Sequence, residues 1–152
     1  MFYSIIIQAR TGSKRFPSKI LKKIDQRTVI EYLIDSIAKK FAKKNIIIAT
    51  TSNKKDDKLV RIIKKKRIKF FRGSEENVLK RYIDCAQKFK VKNIIQITSD
   101  CPLVDVDLIY QMKNIFQKKK VDYLANTYPP NKSKFPDGTD IEIYSFKALK
   151  KF

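Results

Sequence analysis

The fold is decided by one stretch near the N-terminus, Tyr3-Ser4-Ile5-Ile6-Ile7-Gln8-Ala9-Arg10-Thr11-Gly12-Ser13. Its first five residues form a short apolar run of the kind that becomes a buried strand. A glycine and several cations follow, and residues 9–19 show neither helical nor strand periodicity. Backbone N–H groups and positive charge at the end of a strand can converge on a polyphosphate. The stretch therefore predicts a strand and a triphosphate-binding loop; a basic surface loop in a basic protein is the alternative.

The same order of elements continues along the chain. Further apolar runs rich in Ile and Val occupy residues 46–50, 68–71, 94–98 and 121–124. Three segments between runs show helical spacing of apolar residues: Val29, Leu33, Ile37 and Phe41; Val78, Tyr82, Cys85 and Phe89; Leu108, Met112, Ile115 and Phe116. This alternation predicts an α/β domain with a mainly parallel sheet.

Two further segments complete this outline. Residues 139–144 alternate with period two and predict a half-exposed strand, antiparallel or at a sheet edge. Residues 126–138 contain three prolines and predict a loop. In open α/β sheets the ligand lies beyond the carboxyl ends of the strands. We therefore expect the site at the loops that follow residues 3–7 and 94–98.

The composition excludes several kinds of chemistry. The chain has 152 residues, no His and two Cys. Without His, Ser-His-Asp and Cys-His catalysis and His-ligated zinc or haem are excluded. The two thiols, Cys85 and Cys101, indicate a reducing compartment, and we expect a cytoplasmic protein. The first apolar run stops at Gln8, which is too short for a signal peptide or a membrane span.

The formal net charge is +20, from 35 basic and 15 acidic residues. A large positive charge can indicate nucleic-acid binding. Only seven of the 35 basic residues are Arg, and the sequence has no Arg-rich stripe interleaved with aromatic residues. The abundance of Lys and Ile matches coding DNA rich in A and T. We therefore expect no nucleic-acid role and no membrane partner.

Three groups of polar residues are candidates for the site. Asp100 follows the run 94–98 and is placed to hold Mg²⁺; its alternative role, a helix N-cap, suits Asp105 better. Ser74, in the segment 71–79, has the pattern of a helix start. Asp140 and Glu142 share one face of the predicted strand. These two carboxylates either hold a sugar hydroxyl or a metal, or form a solvent face.

Taken together, the segments 7–21, 49–51 with Asp56 and Asp57, 71–75, 78–82, 97–103 and 135–142 closely resemble the cytidylyltransferase family, in collinear order. The nearest branch is the spore-coat polysaccharide biosynthesis type, related to the acylneuraminate and ketodeoxyoctonate cytidylyltransferases. The resemblance implies a three-layer α/β/α, Rossmann-like nucleotide-diphospho-sugar transferase fold. It also implies that residues 1–152 form a single nucleotidyltransferase-like domain, the N-terminal portion of a longer family domain whose C-terminal part is missing.

The resemblance further implies a function. The family moves CMP from CTP to an acidic sugar, here nonulosonate-like, with release of pyrophosphate and with Mg²⁺ as cofactor. The product would serve surface polysaccharide biosynthesis, and the resemblance points to a homodimer. The alternative is a truncated remnant that binds nucleotide without catalysis.

The resemblance also assigns roles to individual positions. Arg10 and Lys19 would grip the triphosphate as catalytic residues, and Asp100 would bind Mg²⁺. The other nucleotide-binding positions would be Ala9, Gly12 and Ser13 in the loop, with Arg72, Ser74 and Glu75 near the cytosine. Asp140 and Glu142 would bind the sugar.

Overall fold

The computed structural model describes residues 3–13, 16–127, 134–136 and 138–151. The strands are β1 (Tyr3–Gln8), β2 (Lys23–Ile24), β3 (Arg27–Thr28), β4 (Ile46–Thr51), β5 (Lys69–Gly73), β6 (Asn93–Thr98), β7 (Tyr123–Ala125) and β8 (Glu142–Ser145). The helices are α1 (Val29–Ala38), α2 (Asp57–Lys65), α3 (Val78–Lys88), α4 (Val106–Lys119) and α5 (Phe146–Leu149). No helix of these ranges is long and apolar enough to cross a membrane.

Six strands form one sheet in the order β5-β4-β1-β6-β8-β7. β1 lies in the middle and pairs in parallel with β4 and β6, so that Ile7 stands opposite Ile48 and Ile97. β5 is parallel to β4, and β8 is the strand of this sheet that runs opposite to the other five. The predicted mainly parallel sheet is confirmed. β2 and β3 form a separate small hairpin that sequence periodicity does not show, because each strand has only two residues.

The antiparallel strand lies inside the sheet. Helix α4 carries the chain past one strand position to β7, and β8 returns into the gap between β6 and β7. The predicted antiparallel direction is therefore confirmed, whereas the edge position belongs to β7. The strand also begins at Glu142 and not at residue 139. Ile143 and Tyr144 are only 1% and 7% exposed, because they lie in the core clusters on opposite faces of the sheet, beneath the helices. The predicted half exposure of this strand is therefore wrong.

Helices cover both faces of the sheet. One face packs against α1, α2 and α4, and the other packs against α3 and the short α5. The predicted three-layer α/β/α arrangement is thus confirmed. In α4 the buried stripe is Ile109, Met112 and Phe116, whereas Ile115 is 43% exposed, so its predicted place on the buried face is wrong. Apolar residues three or four positions apart define two possible stripes on α4, one that includes Ile109 and one that includes Ile115. Only packing against the sheet shows which stripe is buried.

The helix starts follow their capping residues. The Asp105 carboxylate accepts hydrogen bonds from the amides of Asp107 and Leu108 at 2.8 and 3.1 Å, which confirms Asp105 as the N-cap of α4. Asn77 caps α3 by accepting from the Lys80 amide at 2.8 Å. Asp100 is thereby left without a capping role, which frees its carboxylate for the site.

A buried carboxylate holds the loop after β1. Asp56 is 2% exposed. One of its oxygens accepts from the amide and the hydroxyl of Thr11, both at 2.7 Å, and the other accepts from the hydroxyl of Thr51. Burial alone would raise the pKa of Asp56, but these hydrogen bonds outweigh it and hold the pKa below its usual value. The loop after β1 is thereby joined to the end of β4 and the start of α2.

Three helices end on a cationic residue in the left-handed conformation. Arg67 after α2, Lys90 after α3 and Lys120 after α4 have φ of 57°, 53° and 52°. Glycine is the usual residue here, because a Cβ costs about 1–2 kcal/mol in this conformation. The chain has only three glycines, all elsewhere. Each of these helices therefore ends under local backbone strain.

The Asp56 network predicts a pH-dependent stability difference. Asp56→Asn removes the charge that accepts three hydrogen bonds, and we expect a loss of about 2 kcal/mol in the free energy of unfolding at neutral pH. Because the folded-state pKa lies below the unfolded one, this stabilisation is present above about pH 5 and is lost on acidification. Urea denaturation at several pH values measures it. The exposed Asp25→Asn is the control, and a constant difference down to pH 3 would contradict the expectation.

The strained helix ends predict a stabilising substitution. Lys120→Gly relieves the Cβ strain and loses part of the gain to the greater entropy of the unfolded chain, for a net gain of about 0.5–1 kcal/mol. Lys118→Gly, two residues earlier and inside α4, is the matched control and should lose about 1 kcal/mol. Thermal or urea unfolding of both variants measures the two effects. A loss of stability in both would show that Lys120 is unstrained.

Candidate functional site

A cavity of about 810 Å³ opens at the carboxyl ends of β1 and β6. Its floor and walls come from the loop after β1, the segment between β5 and α3, and the turn after β6. The residues predicted for the site that line it are Ala9, Arg10, Gly12, Ser13, Lys19, Glu75 and Asp100. Residues far apart in sequence meet here because parallel strands present their carboxyl ends at one edge.

The loop after β1 is held in a defined shape by its backbone. The Thr11 carbonyl accepts from the amides of Ser13 and Ser18, both at 3.0 Å. Ser18 has φ of 55°, which turns the chain back before Lys19. Lys14 and Arg15 lie outside the described residues. The turn leaves Arg10 exposed at the mouth of the cavity and brings Lys19 to its wall.

Lys19 and Asp100 form an ion pair across the cavity. Their side chains are 33% and 41% exposed, so the pair faces the open space. Burial raises the pKa of Asp100, but the hydrogen bond and charge of Lys19, together with hydrogen bonds from the Asp100 backbone and the Thr98 side chain, outweigh it and hold the pKa below its usual value. Asp100 is therefore a carboxylate at neutral pH, and a phosphate oxygen or a cation can take over either partner of the pair.

Glu75 lies over the glycine of the loop. One Glu75 oxygen accepts from the Asn53 side chain at 2.8 Å. The other lies 3.6 Å from the point where a Cβ on Gly12 would stand. This end of the cavity thus carries a negative charge close to the loop, in contrast to the cationic Arg10.

Two predicted nucleotide-binding residues do not line the cavity. Arg72 donates to the carbonyls of Thr51 and Asn53 at 2.9 and 2.7 Å and to the carboxylate of Asp57 at 2.7 Å. Its guanidinium joins the ends of β4 and β5 to α2. Ser74 accepts from the Asn77 amide at 3.0 Å before α3. Both side chains are therefore used within the fold, next to the cavity.

The two predicted sugar-binding carboxylates line a smaller hollow of about 220 Å³. It adjoins the main cavity, because Thr98 lines both. Glu142 accepts from the Gln96 side-chain amide at 2.7 Å and from the Tyr123 hydroxyl at 2.8 Å. Asp140 faces the same hollow. The structure thus places both carboxylates beside the main cavity and outside it.

The residues present fit a magnesium ion that arrives with its ligand. The described ranges contain no group of three or more Asp, Glu, Cys or His side chains that could hold a metal. Mg²⁺ is often bound by one or two protein carboxylates, with substrate phosphates and water filling the other positions. Asp100 offers an accessible carboxylate on the turn after β6, and Glu75 and Glu76 line the cavity from the segment before α3. This chemistry suits Mg²⁺ bound together with a nucleotide.

Arg81 is a cavity residue for which sequence analysis predicts no role. It is 1% exposed and lines the cavity from α3. One guanidinium nitrogen donates to the Ser74 carbonyl at 2.6 Å and another to the Gln8 side chain at 3.4 Å. The signal was available, because an Arg placed four residues before the apolar Cys85 lies on the buried face of an amphipathic helix.

Comparison with known sequences identifies the relatives of this chain. A family model for cytidylyltransferases matches residues 4–135. The chain is 34% identical over 146 residues to an uncharacterized protein of Methanocaldococcus jannaschii, MJ1063, covering 96% of this chain and 58% of that protein. It is 35% identical over 122 residues to the spore coat polysaccharide biosynthesis protein SpsF of Bacillus subtilis, covering 78% and 51%.

A third relative is named for its activity. The 3-deoxy-manno-octulosonate cytidylyltransferase of Wigglesworthia glossinidia brevipalpis is 29% identical over 126 residues, covering 80% of this chain and 50% of that protein. The chain therefore spans between half and three fifths of the length of these relatives.

Solved structures agree with the sequence comparison. A cytidylyltransferase from Leptospira borgpetersenii superimposes with a TM-score of 0.93 at 32% identity, covering 99% of this chain and 63% of that chain. A CMP:2-keto-3-deoxy-manno-octonic acid synthetase complexed with CTP superimposes with a TM-score of 0.73 at 17% identity, covering 99% and 77%, which shows a shared fold. Because the family model matches most of its length, the chain belongs to the cytidylyltransferase family.

Proposed function

We propose that this chain binds CTP in the main cavity and transfers CMP to an acidic sugar, with release of pyrophosphate, for surface polysaccharide biosynthesis. The observation that carries the proposal is the convergence of Arg10, Lys19 and Asp100 on one cavity at the carboxyl edge of the sheet. Membership of the cytidylyltransferase family supports cytidine as the base.

The charges of the cavity suit a triphosphate. Arg10 is exposed at the mouth, and Lys19 can exchange its Asp100 partner for a phosphate oxygen. Gly12 and Ser13 lie in the same loop, where the backbone can approach phosphate closely. Arg and Lys bind phosphate by charge-assisted hydrogen bonds that are stronger than neutral ones. The loop therefore supplies the contacts that orient the leaving pyrophosphate.

The reaction requires no histidine. The acceptor hydroxyl attacks the α-phosphorus in line, the bond from phosphorus to the pyrophosphate oxygen breaks, and the hydroxyl proton passes to solvent. The protein contributes position and neutralisation of the charge that builds on the phosphates. Arg10 and Lys19 carry positive charge at this place. A chain without His can therefore perform the transfer.

Mg²⁺ is proposed as the cofactor, with Asp100 as its protein ligand. When bound, the ion would neutralise phosphate charge and polarise the α-phosphate. Asp100 would exchange Lys19 for the cation, and Lys19 would turn to the phosphates, so that both partners of the ion pair act in binding. After both exchanges, Asp100 and Lys19 would each still have a partner of opposite charge.

The acceptor would lie next to the nucleotide, in the hollow that holds Asp140 and Glu142. Carboxylates accept hydrogen bonds from sugar hydroxyls, and Thr98 connects the hollow with the main cavity. The 3-deoxy-manno-octulosonate cytidylyltransferase among the relatives supports an acidic sugar, and the SpsF relative supports polysaccharide biosynthesis. A homodimer remains part of the proposal by family resemblance.

A second candidate function is nucleotide binding without turnover. In the described ranges Asp100 has no second carboxylate that completes a metal group. Binding and pyrophosphate release therefore have to be measured separately.

The proposal predicts a preference for CTP. Titration calorimetry with CTP, UTP, GTP and ATP, each with and without Mg²⁺, should give the tightest binding for CTP with Mg²⁺. Near-physiological salt is required, because a protein of charge +20 attracts any triphosphate at low ionic strength. Equal affinity for all four would contradict a cytidine site. Pyrophosphate release with acidic sugars then separates the enzyme from the binding remnant.

If Asp100 binds Mg²⁺, replacing it should abolish the dependence of CTP binding on Mg²⁺. In Asp100→Asn the carboxylate that would hold Mg²⁺ is absent, and Lys19 loses its ion-pair partner. We expect CTP to bind this variant with the same affinity whether or not Mg²⁺ is present. Asp84→Asn, which alters the exposed pair with Lys80 on α3, is the control and should keep the dependence. If Asp100→Asn also keeps it, the metal lies elsewhere.

A further inference from the structure

Arg81 carries a buried positive charge that forms no ion pair with the residues the structure describes. Its side chain is 1% exposed, and the ion pairs of the described residues do not include it. Its two terminal nitrogens reach only neutral acceptors, the Ser74 carbonyl and the Gln8 side chain. Its Nε is buried and has no hydrogen-bond partner. A buried charge is ordinarily paired with an opposite charge.

The surrounding residues make room for this guanidinium. A Cβ on Gly73 would lie 2.6 Å from a ring carbon of Phe71 and 3.2 Å from Arg81 Cγ, so a larger residue at position 73 would press on both side chains. The Ser74 carbonyl, at 2.6 Å, then orients the guanidinium. The fold therefore fixes the position of the Arg81 guanidinium, although its buried charge has no ion-pair partner among the described residues.

The position of Arg81 indicates the ligand. It lines the same cavity as Arg10, and the charge of Arg10 acts on it. Burial lowers the pKa of the Arg81 guanidinium, and Arg10 lowers it further, whereas the charges of Tyr82, Asp56 and Glu75 oppose this effect. Arg10 and Arg81 line the same cavity, and neither belongs to an ion pair of the described residues, an arrangement that suits a multiply charged anion.

We propose that Arg81 is a phosphate-binding residue at the base of the cavity, whose missing counter-ion is the polyphosphate of the nucleotide. The hydrogen bond to Gln8 is long, at 3.4 Å, so this nitrogen can turn to a phosphate oxygen with little loss. The inference rests on the proposed nucleotide site. It adds a phosphate contact from α3 to those of the loop after β1.

The proposal predicts opposite effects on stability and on affinity. Arg81→Met keeps the length and removes the charge. Since replacement of an unpaired buried ion by an apolar side chain is neutral or stabilising, the midpoint of urea unfolding without ligand should not fall. Affinity for pyrophosphate, measured by calorimetry without divalent cations, should fall on the order of ten- to a hundredfold, the range of a lost charged hydrogen bond. Cytidine, which has no phosphate, should be unaffected.

Two further variants complete the experiment. Arg81→Lys keeps the charge without the planar fork and should restore part of the pyrophosphate affinity. Arg61→Met, on the exposed side of α2, removes the same charge from the protein as a whole and should change pyrophosphate affinity by less than about twofold at near-physiological salt.

Each outcome decides the matter. If Arg81→Met unfolds or is strongly destabilised, or if it keeps the affinity for pyrophosphate, Arg81 serves the fold and the inference is overturned. Loss of cytidine binding with pyrophosphate binding intact would also overturn it, because Arg81 would then contact the base. If the unaltered protein binds neither CTP nor pyrophosphate, the proposed function fails, and this inference fails with it; if it binds both and Arg81→Met does too, only this inference fails.

Discussion

The carboxylate of Asp56 is the interaction on which the site depends. It accepts hydrogen bonds from Thr11 and Thr51 and so joins the loop after β1, the end of β4 and the start of α2. The loop is also joined to the rest of the fold by the Ala9 amide, which donates to the Ala49 carbonyl at 3.1 Å, and by the ion pair of Lys19 with Asp100. A phosphate loop is effective when its geometry exists before the ligand arrives, because ordering a loop on binding reduces affinity. The buried carboxylate provides that order from below the cavity.

The cavity uses its charges in three ways. Arg10 is exposed at the mouth, Lys19 is paired with Asp100 at the wall, and Arg81 is buried at the base. The exposed charge attracts an anion, the paired charge can exchange partners, and the buried charge is desolvated in advance. A desolvated cation interacts more strongly with an anion than a hydrated one does. Most of the +20 charge lies elsewhere on the surface, where salt screens it, and it contributes little to the attraction of an anion into the cavity.

Much of the fold could be predicted from the sequence, because long apolar runs and helical spacing report burial directly. Strands such as β1 and β4 are of this kind. The position of β8 could not be predicted, since period-two alternation gives the direction of side chains and not the neighbouring strand. Ile115 shows a related limit, because the apolar residues of α4 fit two stripes.

Some residues of the candidate site could likewise be predicted from the sequence, and others could not. The loop residues and Asp100 were predicted from their position after strands, and they do line the cavity. Arg72 follows a strand as well, yet its guanidinium is used to join β4, β5 and α2, a role that depends on long-range contacts with Asn53 and Asp57. Arg81 lies inside a helix, where position after a strand gives no signal.

The left-handed cationic residues that end α2, α3 and α4 all precede strands, so they lie at the amino edge of the sheet, opposite the cavity. Backbone strain and the candidate site thus lie at opposite ends of the same strands. Distant positions usually contribute additively to stability. Substitutions at the amino edge can therefore raise the stability of the fold without altering the site. A lineage, or an experimenter, could relax those helix ends first and then alter the cavity in a protein better able to tolerate the change.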